Sequence, residues 1–365
     1  MERLIWLEEK NGRSRMAVLE DGIPVELVVT APGGEPTVGN LYMGRVINVV
    51  PGMQAAFIDI GDEKNAFLPL AEAVPAGRAL RPGDEVLVQV QKNSAGEKGA
   101  RLTMHWSFPG KYAVLMPTTD SVGVSRHIVD EEARAALMGA ADEGGGVVIR
   151  TAAQGAPIED IRAEIQSLRA AWDALFEKAH AQKAPACVYS AGSLLDRALR
   201  DLNAPVTLGD IPPEIEAKLS RALRRKVWLD SGAYLVIDPC EAMTVIDVNS
   251  GKYTGKKKLS ETLLRVNLEA AKEAARQVRL RDVGGIVVID FADMDTDGER
   301  EAVLAAFLEA LAPDRAKRHV HGFTGAGLLE MTRRSLYGPV RNTRTCPRCH
   351  GEGVIQEPWP QGGER

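Results

Sequence analysis

Apolar and polar residues alternate with a period of two through most of the first hundred positions, as half-buried strands require. Leu4-Ile5-Trp6, Met16-Ala17-Val18-Leu19 and Val25-Glu26-Leu27-Val28-Val29 predict short strands, with turns at Gly12 and Asp21-Gly22. Ala31-Pro32-Gly33-Gly34 breaks the pattern. From Gly39 to about Thr103 the runs Tyr42 to Val50, Ala55 to Ile60, Ala66 to Leu70 and Glu85 to Gln91 are separated by Pro51-Gly52, Gly61-Asp62 and Pro82-Gly83. Closely spaced strands with such turns predict a small closed barrel.

Beyond the barrel the period changes. Apolar runs at Tyr112 to Met116 and Val147 to Ile149 sit in a mixed stretch, and helical periodicity then holds from Ile158 to Ala181. Ser193 to Asn203 predicts a second helix, and Ile211-Pro212-Pro213 starts another whose body is Glu214 to Arg225. Strand and helix alternate from there: Tyr234 to Ile237, Met243 to Val248, the long helix Ser260 to Arg279, Gly285 to Phe291, and a helix from Gly298 to Leu311. This half reads as α/β or α+β. The Gly- and Pro-rich tail after Gly353 is expected to fray.

Composition narrows the class. With 365 residues, 45% hydrophobic and 26% charged, the chain can bury a substantial core in two or more domains. It contains no apolar run of about 18 residues, and it opens on Met1-Glu2-Arg3 rather than a basic and apolar leader, so a cytoplasmic location with no membrane association is expected. Four cysteines make no disulfide framework; Cys187 and Cys240 read as single buried or inert thiols.

The formal net charge of -5 means that any attraction for phosphate chains must be local. Two basic clusters offer it. Lys252, Lys256, Lys257, Lys258, Arg265, Lys272, Arg276, Arg279 and Arg281 form the first, and the second runs from Arg333 to Arg348. Solvated helix faces balanced by Glu261, Glu269 and Glu273 are the plain alternative.

Candidate chemistry comes from two acids. Asp247 ends an apolar strand, and Asp290 ends the more apolar Ile286-Val287-Val288-Ile289. The carboxyl ends of strands are where open sheets present side chains to ligands, and two strands joined by a helix are plausible neighbours. Asn249, two residues on, shares the face of Asp247 if the strand continues. Two carboxylates with a neutral oxygen suit Mg²⁺, which retains several waters and promotes phosphodiester hydrolysis. The alternative is that each Asp caps the turn or helix after its strand. Asp293, Asp295 and Asp297 either supplement Asp290 or form a solvated turn.

Several long motifs in one order then carry a resemblance: Ile246-Asp247-Val248-Asn249-Ser250-Gly251, Asn267-Leu268-Glu269-Ala270-Ala271, Arg279-Leu280-Arg281-Asp282-Val283-Gly284-Gly285-Ile286, Ile289-Asp290-Phe291-Ala292-Asp293-Met294 and Gly327-Leu328-Leu329-Glu330-Met331-Thr332-Arg333. Together they resemble the catalytic block of the ribonuclease E/G family. The likeness implies catalytic Mg²⁺ on Asp247 and Asp290 with support from Asn249. It further implies cutting of AU-rich single-stranded RNA to leave a 5'-phosphate downstream.

The rest of the chain continues the likeness. The barrel segment resembles the family's S1-type RNA-binding domain, which implies RNA contacts at Phe57, Phe67 and Lys98; plain barrel core is the other reading of the two phenylalanines. Residues 109–117, 123–126 and 149–152 resemble the family's pocket for a 5'-monophosphate, implying roles for Gly110, Val114, Arg126, Arg150 and Thr151. His127 stands where the family commonly has a second Arg, and a structural ion pair is the alternative for Arg150. Cys346-Pro347-Arg348-Cys349 matches the family's zinc-link. One such pair is half of a four-coordinate Zn²⁺ site, so either a second chain supplies two thiolates or His350 and another residue complete it.

The resemblance implies an α+β multidomain fold. An S1-type β-barrel at 35–103 is inserted in a trimmed RNase H-like subdomain made of 1–34 plus 204–280, with a 5'-sensor region at 104–203. A DNase I-like α/β catalytic subdomain at 281–343, a zinc-link at 344–353 and a tail at 354–365 follow. The chain stops just past the zinc-link, so a homodimer is expected. The expected function is a Mg-dependent endoribonuclease of RNA processing or decay. A non-catalytic RNA-binding regulatory paralogue is the alternative, and a deoxyribonuclease on the same metal site a third.

Overall fold

Two Asx-Gly turns organise the first sheet. In the computed structural model, which describes residues 2–30, 38–73, 79–94, 98–141, 144–202, 204–251, 259–338 and 340 but not the side chains of 259 and 260, β1 (Arg3–Lys10), β2 (Arg13–Glu20) and β3 (Ile23–Val29) form an antiparallel meander. Asn11-Gly12 and Asp21-Gly22 all take positive φ, between 48° and 74°, as tight hairpins demand. The chain divides into two compact units, Met1–Ser220 and Arg221–Arg365.

In the first unit the predicted barrel closes. β4 (Leu41–Val50), β5 (Ala55–Asp59), β6 (Ala66–Pro69), β7 (Glu85–Lys92) and β8 (Arg101–Thr103) pair in the order β4-β5-β6-β8-β7, and β7 pairs back with β4. Val46, Ala56, Ile58, Ala66, Leu68, Val88 and Leu102 fill its interior. Closure removes exposed strand edges, and the period-two alternation turns the remaining residues outward.

A smaller sheet follows, in the order β11-β12-β10-β9: β9 (Phe108–Pro109), β10 (Ala113–Leu115), β11 (Val122–Val124) and, after helix α1 (Glu131–Ala141), β12 (Val147–Ile149). Helix α2 (Ile158–His180) buries Ile161, Ile165 and Trp172, and Trp172 stacks within 5.2 Å of Trp106. β13 (Ala186–Tyr189) pairs with β4, α3 (Leu194–Asp201) begins at a Ser193–Asp196 capping box, and β14 (Val206–Leu208) joins β1 in parallel. Helix α4 (Pro213–Ala222) runs across the division between the units.

Among its described residues the second unit holds one six-stranded sheet packed with two helices. β15 (Lys226–Trp228), β16 (Tyr234–Pro239), β17 (Met243–Asn249), α5 (Leu259–Leu280), β18 (Gly285–Asp290), α6 (Asp297–Leu311), β19 (Arg318–Phe323) and β20 (Leu329–Arg333) give the order β15-β16-β17-β18-β20-β19. Only β17 and β18 run parallel, because α5 supplies the long crossover that a parallel pair needs. Ile246, Val248, Val287 and Ile289 form a core with Val266, Ala270, Ala274, Val303 and Phe307 from the two helices. A domain boundary between 280 and 281 would run through this sheet, since β15 to β17 and β18 to β20 belong to it together.

Some expectations need correction. Cys187 and Cys240 are exposed, not buried: Cys187 alternates with buried Val188 on β13, and Cys240 sits in the turn between β16 and β17. Of the basic clusters, Arg279 and Arg333 are buried, and Arg281 donates to the carbonyls of Ala222 and Arg224. Arg276 pairs with Glu273, which leaves Arg265 and Lys272 as the exposed cations described on α5. Lys252, Lys256, Lys257 and Lys258, Arg341 to Arg348, Cys346, Cys349, His350 and the tail lie outside the described residues. Among the described residues no helix is long and apolar enough to cross a membrane.

Candidate active site

Strand register brings the two acids together. Asp247 and Asp290 are direct partners across the parallel β17–β18 pair, so their Cα atoms stand about one strand spacing apart, roughly 4.8 Å, on one face. Their neighbours Ile246 and Ile289 turn into the core, while both aspartates are exposed. This face lies opposite α5 and α6. The Asn249 amide Nδ2 donates to Asp247 Oδ2 at 2.7 Å, which holds that carboxylate toward the strand end.

Neither aspartate caps a helix. The N-cap of α6 is Thr296, in a capping box with Glu299, so this helix opens slightly before the expected Gly298. Asp293 and Asp295 are exposed in the turn before it, and Asp297, exposed as its first residue, pairs with Arg300 at 2.7 Å. Among the described residues no group of three or more His, Cys, Asp or Glu gathers as a metal cage. Two exposed carboxylates sharing a face, with space for retained waters, nonetheless fit a small hard divalent cation.

A residue with no role assigned from sequence supports the second acid. Asn267 of α5 is fully buried, its Nδ2 donating to the Ala292 carbonyl at 2.8 Å and its Oδ1 accepting from the Ala292 amide at 3.1 Å. It clamps the backbone two residues after Asp290. A polar residue on the apolar face of an otherwise amphipathic helix was the available signal. Asn267→Ala is expected to lower the unfolding free energy by about 1 to 3 kcal/mol, because two backbone groups lose their partner. Urea titration checks it, and an unmoved midpoint would mean the clamp is idle.

On the barrel, Phe57 and Phe67 are cross-strand partners whose rings meet edge to face at 6.0 Å. Both are half-exposed between buried Ala56 and Ile58 or Ala66 and Leu68, so they form an outward platform rather than barrel core. Lys98 is exposed on the segment beside β6, where Phe67 N–H donates to the Ala100 carbonyl at 2.7 Å.

The expected phosphate pocket gathers at the ends of β10, β11 and β12. Arg150 donates to the Gly110 carbonyl at 2.6 Å and to Asp201 at 2.7 Å, while the hydroxyls of Ser125 and Thr151 meet at 2.9 Å. Arg126 and His127 are exposed beside them, and Val114 is half-buried in β10. The ion-pair alternative for Arg150 is thus realised in the geometry. Burial pushes the Asp201 carboxyl up, but hydrogen bonds and charge from Arg200 and Arg150 outweigh it and hold its pKa below the ordinary value. The Glu164 carboxylate accepts from the Lys111 and Tyr112 amides, and a Cβ at Gly110 would press on it, so a larger residue here requires the Glu164 side chain to shift.

Comparison with known proteins extends the geometry. The model of the "Ribonuclease E/G family" matches residues 107–207 and 213–336. Ribonuclease G of Haemophilus influenzae is 36% identical over 402 aligned positions, covering 94% of this chain and 82% of that protein. Ribonuclease G of Escherichia coli strain K12 shows the same identity and coverage. Ribonuclease E of that strain is 34% identical over 417 positions, covering 98% of this chain and 39% of its own length. The matched regions take in both strands that carry the paired aspartates, and on this ground the chain belongs to the ribonuclease E/G family.

Proposed function

We propose that this chain is a metal-dependent endoribonuclease that hydrolyses phosphodiesters in single-stranded, AU-rich RNA, favours 5'-monophosphorylated ends, and acts in RNA processing or decay. The observation that carries the reading is the register partnership of exposed Asp247 and Asp290 on one sheet face. Relatives named ribonuclease G and ribonuclease E, aligned over nearly the whole chain, support it.

In this reading Asp247 and Asp290 hold Mg²⁺, which when bound supplies charge neutralisation and an activated water. Asn249 keeps the Asp247 carboxylate aimed, and Asn267 fixes the turn after Asp290. The outward Phe57–Phe67 pair stacks bases without reading their identity, with Lys98 nearby for phosphate. A 5'-monophosphate binds beside Thr151 and exposed Arg126, with Arg150 positioned by Asp201. The four-stranded sheet of β1 to β3 and β14 stands for the RNase H-like subdomain and the six-stranded sheet for the DNase I-like one. Cys346 and Cys349 hold a structural Zn²⁺ shared between two chains of a homodimer, and the protein works in the cytoplasm.

The test is an AU-rich oligonucleotide presented with a 5'-monophosphate or a 5'-hydroxyl. Cutting is expected only with Mg²⁺, lost on chelation, and faster on the monophosphate. RNA binding without turnover at any divalent-metal concentration would favour the regulatory paralogue instead. Equal cutting of DNA would overturn the assignment to RNA.

A further inference from the structure

The open face that carries the acids also carries an aromatic pair absent from every role assigned above. Trp228 on β15 is the register partner of Tyr234 on β16, and Tyr234 is the partner of Asn249 on β17. Directly opposed residues share a face, so Trp228, Tyr234, Asn249, Asp247 and Asp290 stand on one surface in a row of adjacent strands. The two rings meet at 5.1 Å. Trp228 is 63% exposed although it is large and apolar. Lys226 places its ammonium 3.4 Å from the Tyr234 ring centre and 4.2 Å from that of Trp228.

Reach follows from sheet geometry. Tyr234 is one strand over and two residues along from Asp247, and Trp228 one strand further. With about 4.8 Å between strands and about 3.4 Å per residue, Trp228 lies roughly 12 Å from the acid pair. That is the scale of the next nucleotide or two of a strand whose phosphate rests on the acids. An exposed indole beside a second ring tilted 59° to it, with a cation near both, has the chemistry of a nucleobase platform, the base meeting the open face of the indole and the lysine facing the flanking phosphate.

We infer that Trp228 and Tyr234, with Lys226, form a base-stacking subsite for the nucleotide next to the scissile phosphate, separate from the aromatic pair on the barrel. This rests on the nuclease reading, and the occupant is single-stranded RNA. Stacking tolerates any base, so the subsite adds hold and alignment, not sequence choice. It is a positioning element, since it touches substrate away from the reacting bond.

The experiment scans an oligonucleotide with single abasic replacements around the cut. Wild-type protein is expected to lose about tenfold in kcat/KM at one position flanking the cut. Trp228→Leu is expected to start about tenfold lower, mainly through KM, and to be insensitive to the abasic change at that position alone; Trp228→Phe keeps most of the wild-type profile. Equal melting temperatures for the three proteins separate loss of the ring from loss of the fold. The same scan read as binding to the Asp247→Asn protein reports the subsite without turnover, so an absent nuclease activity and an absent subsite give different results. An abasic profile in Trp228→Leu matching wild type at every position would overturn the inference. So would a Trp228→Leu protein that changes only its oligomeric state, which would assign the face to a second copy.

Discussion

Asp247→Asn and Asp290→Asn are each expected to abolish RNA cleavage, lowering kcat/KM by at least about a thousandfold. The size follows from what a bound divalent cation contributes at a phosphoryl centre, several kcal/mol of charge stabilisation, at about 1.4 kcal/mol per tenfold in rate. An amide retains the shape of the carboxylate but not its charge, so in the proposed reading a divalent cation held there would lose one of its two carboxylate ligands. Both side chains are exposed on the open sheet face, and the change leaves the core beneath Ile246 and Ile289 untouched. Folding should therefore be unaffected, and affinity for uncut RNA at the barrel should persist. Cleavage of a labelled oligonucleotide in Mg²⁺, beside a binding titration, separates the two. Full activity in both variants would remove the acid pair from the chemistry.

The second large effect concerns stability. Arg333, at the end of β20, is 2% exposed and pairs with Asp282 and Asp314 at 2.8 Å; those carboxylates are 6% and 2% exposed. It also donates to the Val283 carbonyl at 2.8 Å. Burial works against the guanidinium charge, yet the hydrogen bonds and charges of Asp314 and Asp282 outweigh it and raise its pKa above the ordinary value. Asp282 in turn accepts from the amides of Leu336, Tyr337 and Gly338, tying down the segment that follows β20.

Removing the arginine leaves two buried carboxylates without their counter-charge. Arg333→Met is expected to cost about 3 to 5 kcal/mol of unfolding free energy, the range for breaking one side of a buried ion pair. Set against about 5 to 15 kcal/mol for a typical domain, that leaves the second unit marginal or unfolded. Arg333→Lys keeps the charge but not the planar fork that reaches both acids, and should recover only part of the loss. Chemical denaturation followed by tryptophan emission checks both, and a cost below about 1 kcal/mol would show that the triad is not a structural keystone.

These cases show where reading by residue type stops. Arg333 opens a basic run, and a charge run points equally to a phosphate-binding surface and to solvent; nothing in its own neighbourhood reveals that Asp282 and Asp314, 51 and 19 positions away, enclose it. Asn267 lies within a motif, but its clamp on Ala292 joins a helix to the turn after β18. Phe57 and Phe67 alternate correctly for a strand, yet period two says only that they share a side, not which side is inside.

Local periodicity and turn chemistry determined most of the strands of the meander, the barrel and the central sheet, the long helices α2 and α5, and the sites of chain reversal, because each depends on residues a few positions apart. The short strands β13, β14, β15, β19 and β20 escaped because their stability comes from the neighbour they pair with. Order of motifs and the acids ending two apolar strands were likewise written in the chain. Only the tertiary structure decided that Asp247 faces Asp290, that the barrel phenylalanines point outward, that Trp228 joins the acid-bearing face, and which arginines are buried. Each of these is a choice of register or face among distant segments, and such choices are made by packing the whole core at once rather than by any local preference.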